Sequence, residues 1–176
     1  MTCNVTPEEA RTILFMKNMH TIGDADQRGI FGDFARLLEQ LPHYQDPAVL
    51  ILLKGHLLVE ELLHVYIQRN VPNPVAIRHG ELSFAKCLML CQALSPPETH
   101  SWAFQAAAKL NSVRNEVVHE LESTKLQEML ETFVKVVEQS AKDSVFPPAE
   151  RGEARLYMAV TDLYHELSNQ LHVRKY

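Results

Sequence analysis

The chain has 176 residues, of which 46% are apolar and 22% charged, and a formal net charge of −5. That length supports one domain with a sizeable core and is short for two, and the composition is that of a globular protein. The acidic balance argues against a constitutive, sequence-independent nucleic-acid binder, which relies on a basic face, but not against an RNA-cleaving site in which a few local cations hold one phosphate.

In chain order, the first helical run opens at Thr6-Pro7-Glu8-Glu9, where Thr6 can cap, Glu9 can reach back to it and Pro7 occupies the first turn. It runs to about residue 20 and stops before Gly23. A second run covers 26–41 and ends at Pro42. The third starts at Asp46-Pro47 and carries apolar residues in near-continuous steps to Asn70, which makes it the expected central helix. Residues 71–80, with Pro72 and Pro74, fit neither helical nor strand periodicity. The fourth run spans 82–94, the fifth 98–121, and the sixth 124–142, opening at Thr124-x-x-Gln127. A last run over 150–171 lines Leu156, Ala159, Val160, Leu163, Tyr164 and Leu167 along one side. No segment alternates with a period of two. The pattern predicts an all-α, up-and-down bundle of six to seven helices in one domain spanning 1–176.

Cys3, Cys87 and Cys91 form no disulfide framework, and their odd number fits a reducing compartment. The N-terminal residues show no basic-then-apolar leader. The longest apolar stretch, Val49–Val65, is broken by Lys54, His56, Glu60, Glu61 and His64 and cannot span a bilayer. The expectation is a cytoplasmic protein without a membrane partner.

The most informative segment is Ala106–Leu121. Val113, Val117, Val118 and Leu121 supply a helical apolar stripe, and Arg114, Asn115 and His119 border it. A helix advances about 100° per residue, so Asn115 and His119 share an edge and Arg114 sits one position round. Burying such groups without partners costs about 1–3 kcal/mol each. Two explanations stand at this level: a buried hydrogen-bond network that fixes helix register, or a site that meets a ligand.

The stretch Leu110-Asn111-x-x-Arg114-Asn115-x-x-x-His119 resembles the Arg-x4-His signature of the HEPN superfamily, all-helical domains of prokaryotic toxin–antitoxin and antiviral systems. A small polar residue often follows the arginine in that family, and Asn115 matches. The upstream Leu82-Ser83-Phe84-Ala85-Lys86-Cys87-Leu88 and Cys91-Gln92-Ala93-Leu94 are similar to the preceding helix of many members. The likeness extends over 46–142, with 6–41 and 150–171 as flanking helices. A second Arg-to-His spacing, Arg36 to His43, is spoiled by Pro42.

The resemblance implies a metal-independent endoribonuclease with no cofactor and with Arg114, Asn115 and His119 as its catalytic residues. It also implies a homodimer that faces two copies of the motif, an RNA substrate and, as a further partner, a cognate antitoxin protein. The residue types suit that chemistry. His119, with an ordinary pKa of about 6.5, can transfer protons at neutral pH. Arg114 is permanently charged and its planar fork matches phosphate oxygens, while Asn115 can hold a phosphate oxygen or the imidazole. The expected products are a 2′,3′-cyclic phosphate and a 5′-hydroxyl. Leu121 stands where some family toxins carry the tyrosine that a nucleotidyltransferase antitoxin modifies, so that form of neutralisation does not carry over. The alternative within the family is a dimeric interaction or regulatory module that cleaves nothing.

Other clusters carry competing readings. Glu61-x-x-His64 and Glu116-x-x-His119 both match the pair that builds ferritin-like di-metal sites, though the extra mid-helix glutamates such a site needs are poorly supplied by Glu128, Glu131 or Glu166. His56, Glu60 and His64 line one edge of the third run, either as a hydrogen-bonded histidine pair around a carboxylate or with Glu60 orienting the Arg–His helix from across the bundle. Cys87 and Cys91 read as core packing, with no nearby histidine to complete a metal set. Tyr164, His165, His172, Arg174 and Tyr176 read as a solvated tail without a role.

Overall fold

The computed structural model describes residues 47–77, 82–96, 102–119, 124–141 and 152–172, together with Gly32, Leu37 and Leu41. For Val118, His119 and His172 it describes only the helical backbone. All regular structure among these residues is helical: α1 is Ala48–Asn70, α2 Phe84–Leu94, α3 Trp102–His119, α4 Thr124–Ser140 and α5 Gly152–His172. The expected first run and most of the second lie outside the described residues. Leu37 and Leu41, from the second, are buried, and the Leu41 N–H donates to the Leu37 carbonyl at 2.8 Å.

The helix ends follow local chemistry. The Pro47 carbonyl accepts from the N–H groups of Leu50 and Ile51 at 2.8 and 3.2 Å, starting α1 without a side-chain cap. Val71 closes its C-terminus with a 3.0 Å bond to Ile67, and Pro72 then cannot continue it. The stretch expected to be irregular contains one 3-10 turn at Pro74–Ala76, begun by a proline whose fixed φ suits that position. At the end of α2, the N–H and hydroxyl of Ser95 both donate to the Cys91 carbonyl, at 2.9 and 2.7 Å.

α1 packs against α2, α3 and α5, while α3 packs against all four of the other described helices and shares the central place expected of α1. Ile51, Leu52, Val59, Leu63 and Ile67 have no exposed surface, and burying each such side chain contributes about 1.5–3 kcal/mol. Gly55 lets α1 approach α5: a Cβ there would come within 2.5 Å of Val160 Cγ1. The Tyr66 hydroxyl donates to the Leu94 carbonyl at 3.3 Å and pairs with Ser95 at 3.2 Å, tying α1 to the end of α2.

The apolar side expected for the last run is buried from Leu156 to Leu167. The reading of Tyr164 and its neighbours as a solvated tail is corrected. Tyr164 is 4% exposed, Asp162 and Ser168 are buried, and His165 is half-buried with Nε2 3.0 Å from the Asn169 amide. Ala159 to Tyr164 is buried without a break, so α5 is covered on more than one face and runs through the core. A wheel with one apolar side concealed this, because the polar side of α5 is also covered. Nothing is described for the side chain of His172 or for Arg174 and Tyr176.

Candidate functional site on the rim of α3

α3 turns Ala103, Ala106, Ala107, Leu110, Val113 and Val117 into the core and exposes Gln105, Ala108, Ser112 and Asn115. Arg114 lies at the boundary between these faces and is half-buried. Its Nη1 donates to Asn115 Oδ1 at 3.2 Å. No carboxylate among the described residues pairs with the guanidinium. The neighbouring Glu116 points elsewhere and accepts from Lys125 Nζ at 2.9 Å, linking α3 to the first turn of α4. The expectation that the polar triplet sits in a buried helix therefore needs correction: the stripe is buried, but Asn115 is exposed. Arg114 and Asn115 come together. His119 is the last residue of α3, and its side chain lies outside the described residues.

Behind this rim is a polar seam between α1 and α3. His56 is 4% exposed, stacks on Phe84 of α2 with ring centroids 4.4 Å apart, and places Nε2 3.1 Å from Asn111 Oδ1. An amide oxygen only accepts, so in this arrangement Nε2 carries the proton and donates. Nδ1 lies 4.0 Å from the carboxylate of half-buried Glu60. Burial pushes the His56 pKa below its ordinary 6.5; the Asn111 hydrogen bond and Glu60 oppose that shift, and the positive charge of Arg114 adds to it. The ring is neutral at pH 7. Glu60 on the same helix and Arg114 on α3 thus act on one imidazole with opposite effect.

His64, one turn beyond Glu60, faces α2, where its Nε2 is 3.6 Å from Cys87 Sγ. One histidine therefore neighbours the cysteine pair, because α2 lies along the C-terminal half of α1, but it completes no metal-ligand set among the described residues. Both thiols are fully buried, and the Cys91 thiol donates toward the Leu63 carbonyl at 3.5 Å. Burial raises the Cys87 pKa, with Glu60 adding to it; burial, then Cys87, push Cys91 up to about 12. These are protonated core thiols, unsuited to nucleophilic attack at neutral pH. Among the described residues no three His, Cys, Asp or Glu side chains converge as metal ligands would.

Asn111 is the residue that sequence reasoning passed over. It stands in the motif segment, three positions before Arg114 and four before Asn115, a spacing that places all three along one side of a helix. Its signal was its place between buried Leu110 and Val113 on a core-facing helix, where an amide needs a partner. No described helix is long and apolar enough to cross a membrane. Compared with protein-family models, with curated proteins and with solved structures, the chain matches none.

Proposed function

We propose that the protein is a metal-independent endoribonuclease of HEPN type that works as a homodimer, with Arg114, Asn115 and His119 of two facing α3 helices forming one composite site. The observation that carries this reading is the state of Arg114: a half-buried guanidinium, held by an adjacent amide and uncancelled by any described carboxylate. Its fork suits the phosphate of an RNA backbone. Two further features support it. The exposed side of α3 carries the small residues Ala108 and Ser112, which permit close approach of a second helix, and His119 follows Asn115 at one helical turn. In a composite site one His119 accepts the 2′-hydroxyl proton and the other protonates the departing 5′-oxygen, while the arginines stabilise charge on the phosphorane. Within this reading the helical array is a HEPN-like bundle in the cytoplasm, a toxin or antiviral effector held in check by a cognate antitoxin protein.

The test is growth on expression. Wild type slows growth, and Arg114→Ala and His119→Ala each relieve it while the purified variants keep the dimeric mass by light scattering. Variants as toxic as wild type, or a monomeric wild type at micromolar concentration, would remove the composite site. The non-catalytic module is favoured by the net charge of −5, and a dimer that leaves RNA uncut would establish it.

A further inference from the structure

The His56–Asn111 pair divides the Asn111 amide into two ends with different fates. Oδ1 accepts from the His56 Nε2–H at 3.1 Å. The Nδ2 hydrogens make no hydrogen bond among the described residues, and the nitrogen of this half-buried residue is open to solvent. The imidazole that sets this orientation is itself stacked on Phe84 and bordered by Glu60 at its other nitrogen. With the imidazole proton on Nε2, turning the amide over would break that bond, so in this tautomer its two N–H donors keep one direction. Asn111 also shares its side of α3 with Arg114 and Asn115 at helical spacing. An uncommitted pair of donors beside an uncancelled guanidinium is a setting for an anionic oxygen.

We infer that Asn111 is a further substrate-binding residue, a second donor to the phosphodiester that Arg114 holds, with His56 as the positioning residue that aims it. The inference rests on the ribonuclease reading and deepens it. A purely structural role for Asn111 requires only an acceptor for the His56 N–H, which aspartate also supplies. A substrate contact requires the donors, which aspartate lacks, and aspartate adds a negative charge against the phosphate.

The two roles separate in equilibrium binding of a mixed-sequence 2′-O-methyl oligoribonucleotide, which has no 2′-hydroxyl nucleophile, to the full-length dimer. Thermal melting and light scattering of each variant run alongside. Asn111→Ala is expected to weaken binding about 10-fold, in keeping with one lost hydrogen bond to a charged group. Asn111→Asp is expected to weaken it further while melting closer to wild type than the alanine variant does. Aspartate binding as well as wild type, or alanine binding unchanged, would overturn the inference while leaving a wild type that cuts RNA as the ribonuclease. A wild type that neither binds the oligonucleotide nor cuts RNA would sink both.

Discussion

Two arginines on neighbouring helices show what a structural cation and an available one look like in the same protein. Arg155 on α5 is held between two carboxylates of α4. Its Nε and Nη2 donate to Glu138 at 2.8 Å each, and its Nη1 reaches Glu131 at 3.1 Å. Those bonds raise the guanidinium pKa further and hold the Glu138 carboxyl below its usual range. Arg114 on α3 has an amide for its partner and no described carboxylate. The first is a clamp between two helices whose charge is cancelled. The second keeps its charge at an accessible rim, which is what a phosphate-binding role needs.

The comparison makes a double prediction, and its largest effect falls on catalysis. Arg114→Ala should lower the rate of RNA cleavage by about 10²–10³-fold, as removal of a charge-stabilising donor does, with the melting temperature little changed. Arg155→Ala should do the reverse, leaving cleavage intact and loosening the contact between α4 and α5. If the two variants show the same profile in both assays, the distinction between clamp and site is wrong.

Packing supplies the next largest effect. Gly55→Ala drives a Cβ against Val160 and is expected to cost about 1–3 kcal/mol, since overpacking forces the neighbour or the backbone to move. For a chain of this size each kcal/mol lowers the melting temperature by about 2–4 °C. Adding Val160→Ala should recover part of that loss, because the atoms a Cβ at position 55 would meet first all belong to the Val160 side chain. A double variant no more stable than Gly55→Ala would show that the α1–α5 approach is not what the glycine serves.

The histidine and carboxylate environments both lose stability on acidification, but in different pH windows. His56 has a folded pKa below its ordinary 6.5, so the unfolded chain binds more protons as pH falls. Its contribution to stability is complete above about pH 6.5 and is lost as pH falls through the folded value. Melting between pH 7.5 and 5 should therefore show a decline that His56→Gln reduces; an equal decline in the variant would place its origin elsewhere. Glu138 is also depressed, by its Arg155 hydrogen bonds first. Its contribution is present above the ordinary carboxylate range, near pH 4.5, and disappears at lower pH. Both carboxylates are partly exposed, so the clamp is expected to contribute only about 1 kcal/mol at neutral pH. Arg155→Ala should lose that amount at pH 7 and converge on wild type in acid; a gap that persists at pH 3 would contradict the clamp.

Much of the helix pattern was legible because apolar residues recur at helical steps and prolines separate the runs. The described helices end within a few residues of the expected limits, and Leu156, Ala159, Val160, Leu163, Tyr164 and Leu167 are buried as their periodicity indicates. What periodicity could not supply was which polar faces are also covered. Asp162 and Ser168 are buried because α5 has neighbours on more than one side, a tertiary fact with no one-dimensional trace. The same limit applies to the site. Arg114 and Asn115 could be paired from their adjacency, whereas the His56–Asn111 bond joins residues 55 positions apart and depends on how α1 crosses α3. The His64–Cys87 contact, across 23 positions, was missed for the same reason.

The most direct measurement of the central claim is cleavage of single-stranded RNA by the purified dimer in excess EDTA, followed across pH with analysis of the product ends. A site built from Arg114, Asn115 and His119 predicts cutting that persists in chelator and leaves 2′,3′-cyclic phosphate and 5′-hydroxyl ends. It also predicts a rate that rises and falls around the histidine pKa, since one imidazole acts neutral and the other charged. Activity abolished by EDTA and restored by one divalent ion, or no cleavage at any pH, would contradict it.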